Sequence, residues 1–153
     1  MPERYFFRNE VKVMDLEGKK CVMVIDEELP LGIITNTAAI MGITLGKMVP
    51  EFIGPDVEDQ TGHEHLGIIA IPVPILKSTA EGIRNIRERL FEPEFEELTV
   101  VDFSDVAQGC NVYDEFIEKI GKTAEDTLQY FGVAICGAKK KVNKLTGSMP
   151  LLR

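Results

Sequence analysis

The chain has 153 residues, a length typical of one domain that buries its core without disulfide or metal staples. Hydrophobic residues make up 44% and charged residues 27% of it, which indicates a folded soluble protein and argues against disorder. The formal net charge of −8 makes a nucleic-acid partner an unfavoured hypothesis, because such surfaces neutralise phosphates with Lys and Arg.

Two further features of composition predict a cytoplasmic protein with no membrane partner. Residues 1–9 lack the apolar core of a signal peptide, and no run approaches the ~18 apolar residues of a membrane span. The three cysteines, Cys21, Cys110 and Cys136, are an odd number without C-x-x-C spacing, and two of them lie in apolar runs. We therefore predict reduced, buried thiols.

The chain opens on a segment of unclear structure and then enters a strand. Residues 1–18 are predicted to be an N-terminal extension, and residues 19–153 a single α/β domain. Residues 21–25 (CVMVI) form an apolar run rich in β-branched side chains, which predicts a central strand buried on both faces. Residues 33–43 (IITNTAAIMGI) predict an apolar helix whose small side chains allow close packing on a sheet.

The middle of the chain predicts a long loop and a proline-limited strand. Residues 49–67 are irregular, and loops of that length in a compact domain are often functional. Residues 68–76 (IIAIPVPIL) predict a second strand, which is at the sheet edge or ends at Ile71 because Pro72 and Pro74 cannot donate ladder hydrogen bonds.

The second half alternates helices and strands. A capping box from Ser78 to Glu81 predicts a helix start, residues 98–103 a third strand, and Asn111 the cap of another helix. Residues 130–136 predict the fourth strand and residues 138–145 the last helix. This alternation predicts an α/β layer structure, and no glycine-rich phosphate motif follows the first strand.

Several stretches resemble known families. Residues 20–32 (KCVMVIDEELPLG), residues 37–39 (TAA) and residues 132–152 are similar to the first and last elements of type 2 peptidyl-tRNA hydrolases. The chain is more similar to the domain of unknown function 2000, DUF2000, through GPDVEDQTG at 54–62, PVPILK at 72–77 and the C-terminal KLTG. The resemblance implies a three-layer α/β/α fold, peptidyl-tRNA hydrolase type 2-like, with a mixed four-stranded sheet.

The chain departs from those hydrolases where their chemistry resides. They carry a G-K-G-K segment before the Ala-Ala pair, whereas this chain has GIITNT at residues 32–37 and no lysine between Lys20 and Lys47. Ile33 and Ile34 can neither polarise a carbonyl nor hold a phosphate as lysines do. We therefore predict that the hydrolase's catalytic lysine segment is absent.

The candidate ligand-binding residues are Asp26, Glu27, Thr35, Asn36 and Lys77. Asp26 and Glu27 follow the first strand, Thr35 and Asn36 lie in the first turns of the next helix, and Lys77 follows the PVPIL run, from which it could reach an anionic ligand. Ligands of open α/β sheets bind at the carboxyl ends of the strands. Asp26 would serve as a general base if burial raised its pKa. The alternatives are a solvated acidic turn, an amide at Asn36 that only bonds backbone, and a solvated lysine at Lys77.

His63 and His65 are weak catalytic candidates beside Asp26. In an extended segment both rings would project to one side and could share a metal with a carboxylate, but no third ligand has a recognisable spacing. We therefore predict no metal and no cofactor.

Three functions stay open at this point. The preferred hypothesis is an uncharacterised domain that binds a small molecule or peptide in a pocket at the C-terminal end of the first strand. The alternatives are a hydrolase acting on a small acyl or amide substrate through Asp26, Asn36 and a histidine, and a homodimeric interaction module.

Overall fold

A computed structural model describes residues 16–153, so that most of the predicted extension at residues 1–18 lies outside the described residues. The elements are β1 (Lys19–Asp26), α1 (Leu31–Met48), β2 (Val57–Glu58), β3 (Glu64–His65), β4 (Ile75–Ser78), α2 (Ala80–Leu90), β5 (Thr99–Ser104), α3 (Asp105–Gln108), α4 (Tyr113–Gly121), β6 (Tyr130–Ala138) and α5 (Lys139–Thr146). Short 3-10 helices occupy Pro50–Phe52, Pro93–Phe95 and Glu125–Thr127.

The main sheet has four strands in the order β4-β1-β6-β5. Strand β1 runs parallel to β4 and antiparallel to β6, and β6 runs antiparallel to β5. The predicted mixed four-stranded sheet is confirmed, and so is the central position of the first strand. Because β1, β4 and β5 all run in one direction, their C-terminal ends lie at the same edge of the sheet.

The helices cover both faces of this sheet, since side chains alternate along each strand. Val22 and Val24 of β1 pack in a core cluster with residues of α2 and α5. Cys21, Met23 and Ile25 point to the opposite face and pack in a second cluster with residues of α1. Two hydrophobic cores therefore sandwich one sheet, and β1 contributes to both.

The second predicted strand is displaced along the chain. Residues 68–74 lie outside the four strands, and β4 begins at Ile75, directly after the second proline. The reason is that Pro72 and Pro74 supply no N–H to a ladder, although the Pro74 carbonyl still accepts from the Met23 N–H at 3.0 Å. Ile69 forms an isolated bridge with Ile53, and its side chain packs against the core cluster around α1.

Two predicted helix caps differ in the structure. Thr79 rather than Ser78 caps α2, and its hydroxyl accepts from the Gly82 N–H at 3.0 Å. Val112 precedes α4 and no side chain caps that helix, so the prediction of an Asn111 cap was wrong.

Helix α1 is longer than predicted. It spans 18 residues with a mean hydropathy of 1.2, which meets the length and composition of a membrane-crossing helix. This helix is not an uninterrupted apolar run, because Gly, Thr and Asn residues and Lys47 interrupt its apolar side chains, so the prediction of no membrane partner stays a prediction. The helix lies on the sheet through Thr37, Met41 and Leu45, and only 17% of this stretch is buried.

The prediction of reduced thiols was wrong for two of the three cysteines. Cys21 and Cys136 form a disulfide between β1 and β6. The strand register places them directly opposite each other, with Cα atoms 4.2 Å apart, although their positions differ by 115 in the chain. Cys110 is a free, partly buried cysteine.

Candidate functional site

Asp26 occupies the last position of the central strand, at the edge where three strands end. It is 3% exposed, and its Oδ1 accepts a hydrogen bond from the Glu28 N–H at 3.0 Å. This bond ties the carboxylate to the turn that leads into α1. Asp26 is therefore a buried, hydrogen-bonded carboxylate and not a solvated acid.

Glu27 and Lys77 lie beside Asp26 because parallel pairing of β1 with β4 brings their ends together. The Glu27 N–H donates to the Ser78 carbonyl at 3.1 Å, which extends the ladder by one residue. The Lys77 Nζ lies 3.8 Å from Glu27 Oε2, and both side chains are more than one-third exposed. The pair stabilises the fold weakly but balances the charge of the lysine.

Thr35 and Asn36 project from the first turns of α1 into solvent. The Thr35 hydroxyl donates to the carbonyls of Leu31 and Gly32, at 3.1 and 3.0 Å. Asn36 donates from Nδ2 to Gln108 Oε1 at 3.3 Å and so links α1 to α3. Asn36 is exposed because the neighbouring Thr37 takes the sheet-facing position on the helix.

Sequence reasoning missed the contribution of the β5 end to this edge. Ser104 is buried there, and Asp105 follows it at the start of α3. Asp105 Oδ1 accepts from the Gln129 N–H at 3.1 Å, and its own N–H donates to the Gln129 carbonyl. No local motif marks these residues, because only the strand order brings β5 to the same edge as β1.

The two histidines lie apart from these residues in the hairpin formed by β2 and β3, and both are exposed. His65 Nε2 lies 2.8 Å from Asp59 Oδ2, and His63 Nδ1 lies 3.9 Å from the same oxygen. The hydrogen bond from His65 is the main reason that the pKa of Asp59 falls below its ordinary value. Among residues 16–153, no group of three or more His, Cys, Asp or Glu side chains is arranged to hold a metal ion.

The fold and the residues at the C-terminal ends of β1, β4 and β5 define a class of protein. It is an α/β protein built on one mixed four-stranded sheet, with polar side chains where these three strands end. The family model DUF2000, a protein of unknown function, matches residues 19–153. The chain belongs to the DUF2000 family. No curated protein matches it.

A solved structure supports the fold. A protein of unknown function from Agrobacterium tumefaciens is similar with a TM-score of 0.79 and 19% sequence identity. The similarity covers 88% of this chain and 97% of the other. At this identity the likeness establishes the fold alone.

Proposed function

We propose that this protein binds a small molecule or peptide at the C-terminal end of β1, and that it lacks the lysine-based chemistry of the hydrolases it resembles. The observation that carries this proposal is the Asp26 carboxylate, 3% exposed at the end of the central strand. A buried carboxylate is costly unless hydrogen bonds satisfy it. The sheet-edge position is the one that ligands of open α/β sheets use.

The charges at this edge favour a ligand that brings N–H donors or a positive charge. Asp26, Glu27 and Asp105 supply carboxylates, whereas Lys77 already lies 3.8 Å from Glu27. A phosphate or carboxylate ligand would compete with Glu27 for that lysine. An amine or amide can instead donate to the carboxylates in charge-assisted hydrogen bonds.

The scaffold in this proposal is peptidyl-tRNA hydrolase type 2-like, as the sequence resemblance implies. The four-stranded mixed sheet with helices on both faces supports it. The hydrolase alternative would need Asp26 to act together with Asn36 and a histidine. The described contacts join Asn36 to Gln108 and His65 to Asp59, so they favour binding over that alternative.

Native mass spectrometry of the purified protein tests the proposal. We expect added mass from a co-purifying small molecule, and we expect Asp26→Asn to lower the bound fraction. A hydrogen bond to a charged group contributes about 1.5–3 kcal/mol, so the ligand affinity should fall about tenfold or more. The matched control is Asp126→Asn, an exposed aspartate in the short helix Glu125–Thr127.

Two results would count against this site. One is a ligand retained equally by wild type and by a folded Asp26→Asn variant, with folding checked by thermal unfolding. The other is the absence of any added mass together with an unfolding temperature that a panel of amines and amides leaves unchanged.

A further inference from the structure

The outer face of α1 is exposed, apolar and almost without charge. Ile43 is 77% and Leu31 76% exposed, and Met48 is also largely exposed. Lys47 is the one charged residue of this 18-residue helix, although 27% of the chain is charged. Exposed apolar surfaces of this kind mark interaction sites. We define the α1 outer face as Leu31, Thr35, Ala39, Ile43, Lys47 and Met48.

We propose that a second copy of this chain covers the α1 outer face, with the two helices antiparallel across a two-fold axis at Ala39. This inference goes beyond the proposed ligand binding and does not depend on it. A two-fold interface uses the same surface on both subunits and must be complementary to itself. In this arrangement Ala39 meets Ala39, the small Thr35 meets the larger Ile43, and Leu31 meets Lys47.

Charge complementarity selects the antiparallel arrangement. Glu28 is exposed in the turn just before α1, and Lys47 lies in its last turn. Antiparallel packing brings Lys47 of each copy to the helix start of the other, close to Glu28. Parallel packing would instead place the two Lys47 side chains, and the two Glu28 side chains, side by side, and like charges disfavour such contacts.

The same features disfavour a lipid surface as the occupant. Membranes with anionic lipids attract clusters of Lys and Arg, and this chain has a net charge of −8. The middle of the face also contains Thr35 and its exposed neighbours Asn36 and Thr44, which a second helix can hydrogen-bond more readily than lipid tails can.

Analytical ultracentrifugation of wild type, Ile43→Glu and Ile117→Glu over a range of concentrations tests the proposal. We expect wild type to dimerise and Ile43→Glu to raise the dimer Kd at least about tenfold, because a central interface residue becomes charged. Ile117→Glu is the matched control: Ile117 is 56% exposed on α4, whose Ile120 packs in the other core cluster. It should dimerise as wild type does.

A cysteine cross-link tests the register. In a Cys110→Ser background, Ala39→Cys should give a covalent dimer under mild oxidation, because the two residues meet at the axis. Thr44→Cys should not, since residue 44 would lie opposite residue 34. Asp26→Asn should dimerise normally, which separates this inference from the ligand site.

Four outcomes would overturn the proposal. In ultracentrifugation they are a wild-type protein that stays monomeric at every concentration and a folded Ile43→Glu variant that still dimerises. In cross-linking the third is a dimer that Ala39→Cys does not link. In a vesicle flotation assay the fourth is binding of wild type, but not of Ile43→Glu, to vesicles of anionic lipid.

Discussion

At the scale of single residues, Gly132 sets the distance between α1 and the sheet. A Cβ atom at this position would lie 2.9 Å from Thr37 Cγ2, 3.0 Å from Met41 Cε and 3.1 Å from the Val24 carbonyl oxygen. We expect Gly132→Ala to lower the free energy of unfolding by about 1–3 kcal/mol, the usual cost of overpacking a core. Urea unfolding measures this difference.

The control for this substitution is Gly121→Ala at the end of α4, where an added Cβ meets no atom within 4 Å. There the unfolding free energy should stay the same or rise by about 0.4–1 kcal/mol, because alanine restricts the unfolded chain. Equal losses at both positions would show that close approach of α1 is not the cause.

At the scale of elements, the β2–β3 hairpin depends on one carboxylate. Asp59 Oδ1 accepts from the Thr61 and His63 N–H groups, at 2.8 and 3.1 Å, while Oδ2 meets His65. These bonds lower the pKa of Asp59 below 3.8, so their stabilising effect is complete above that pH. It is lost as the pH falls through the lower, folded-state value.

Acid titration followed by NMR checks this dependence. The amide shifts of Thr61 and His63 should change together with a midpoint below pH 3.8, and Asp59→Asn should abolish the transition. A midpoint at or above the ordinary aspartate value would mean that the hairpin does not stabilise the ionised form.

The disulfide that joins β1 and β6 leads to a second prediction at this scale. Because Cys21 and Cys136 are joined, neither has a thiolate to alkylate. In guanidinium without a reductant, iodoacetamide should therefore label Cys110 alone, and after reduction it should label all three cysteines. Mass spectrometry counts the adducts, and three adducts without reductant would show that the pair is reduced.

At the scale of the whole molecule, the last residues of the chain pair with β4, the outermost strand on one side of the sheet. The Lys77 N–H donates to the Pro150 carbonyl at 2.9 Å, and the Leu152 N–H donates to the Ile75 carbonyl at 2.8 Å. Leu151 bridges Leu76, and Leu152 packs against the core cluster around α1. The C-terminal residues thus cover β4, which would otherwise be an open edge strand.

Deleting residues 150–153 should lower the free energy of unfolding by roughly 2–4 kcal/mol. The deletion removes two backbone hydrogen bonds of about 0.5–1.5 kcal/mol each. It also removes the partly buried side chain of Leu152 from the core cluster around α1. Chemical unfolding measures the loss. Deletion of the exposed Arg153 alone should change stability by less than about 0.5 kcal/mol. A shortened chain as stable as the control would show that the tail does not support β4.

Local pattern alone predicted much of this molecule. The apolar run of residues 21–25 predicted a central strand, and β1 lies between β4 and β6. The alternation of helices and strands in the second half predicted an α/β layer structure, and helices cover both faces of the sheet. Such features are readable because burial on one or both faces determines which side chains a strand or helix can carry.

What the tertiary structure decided depends on partners far away in the chain. Strand register joined Cys21 to Cys136, parallel pairing brought Lys77 to Glu27, and the packing of Thr37 on the sheet turned Asn36 outward. Each outcome depends on which strands are neighbours and which helix face meets the sheet. The sequence states the chemistry of each residue, whereas the free energy of packing the whole chain determines which residues become its neighbours in space.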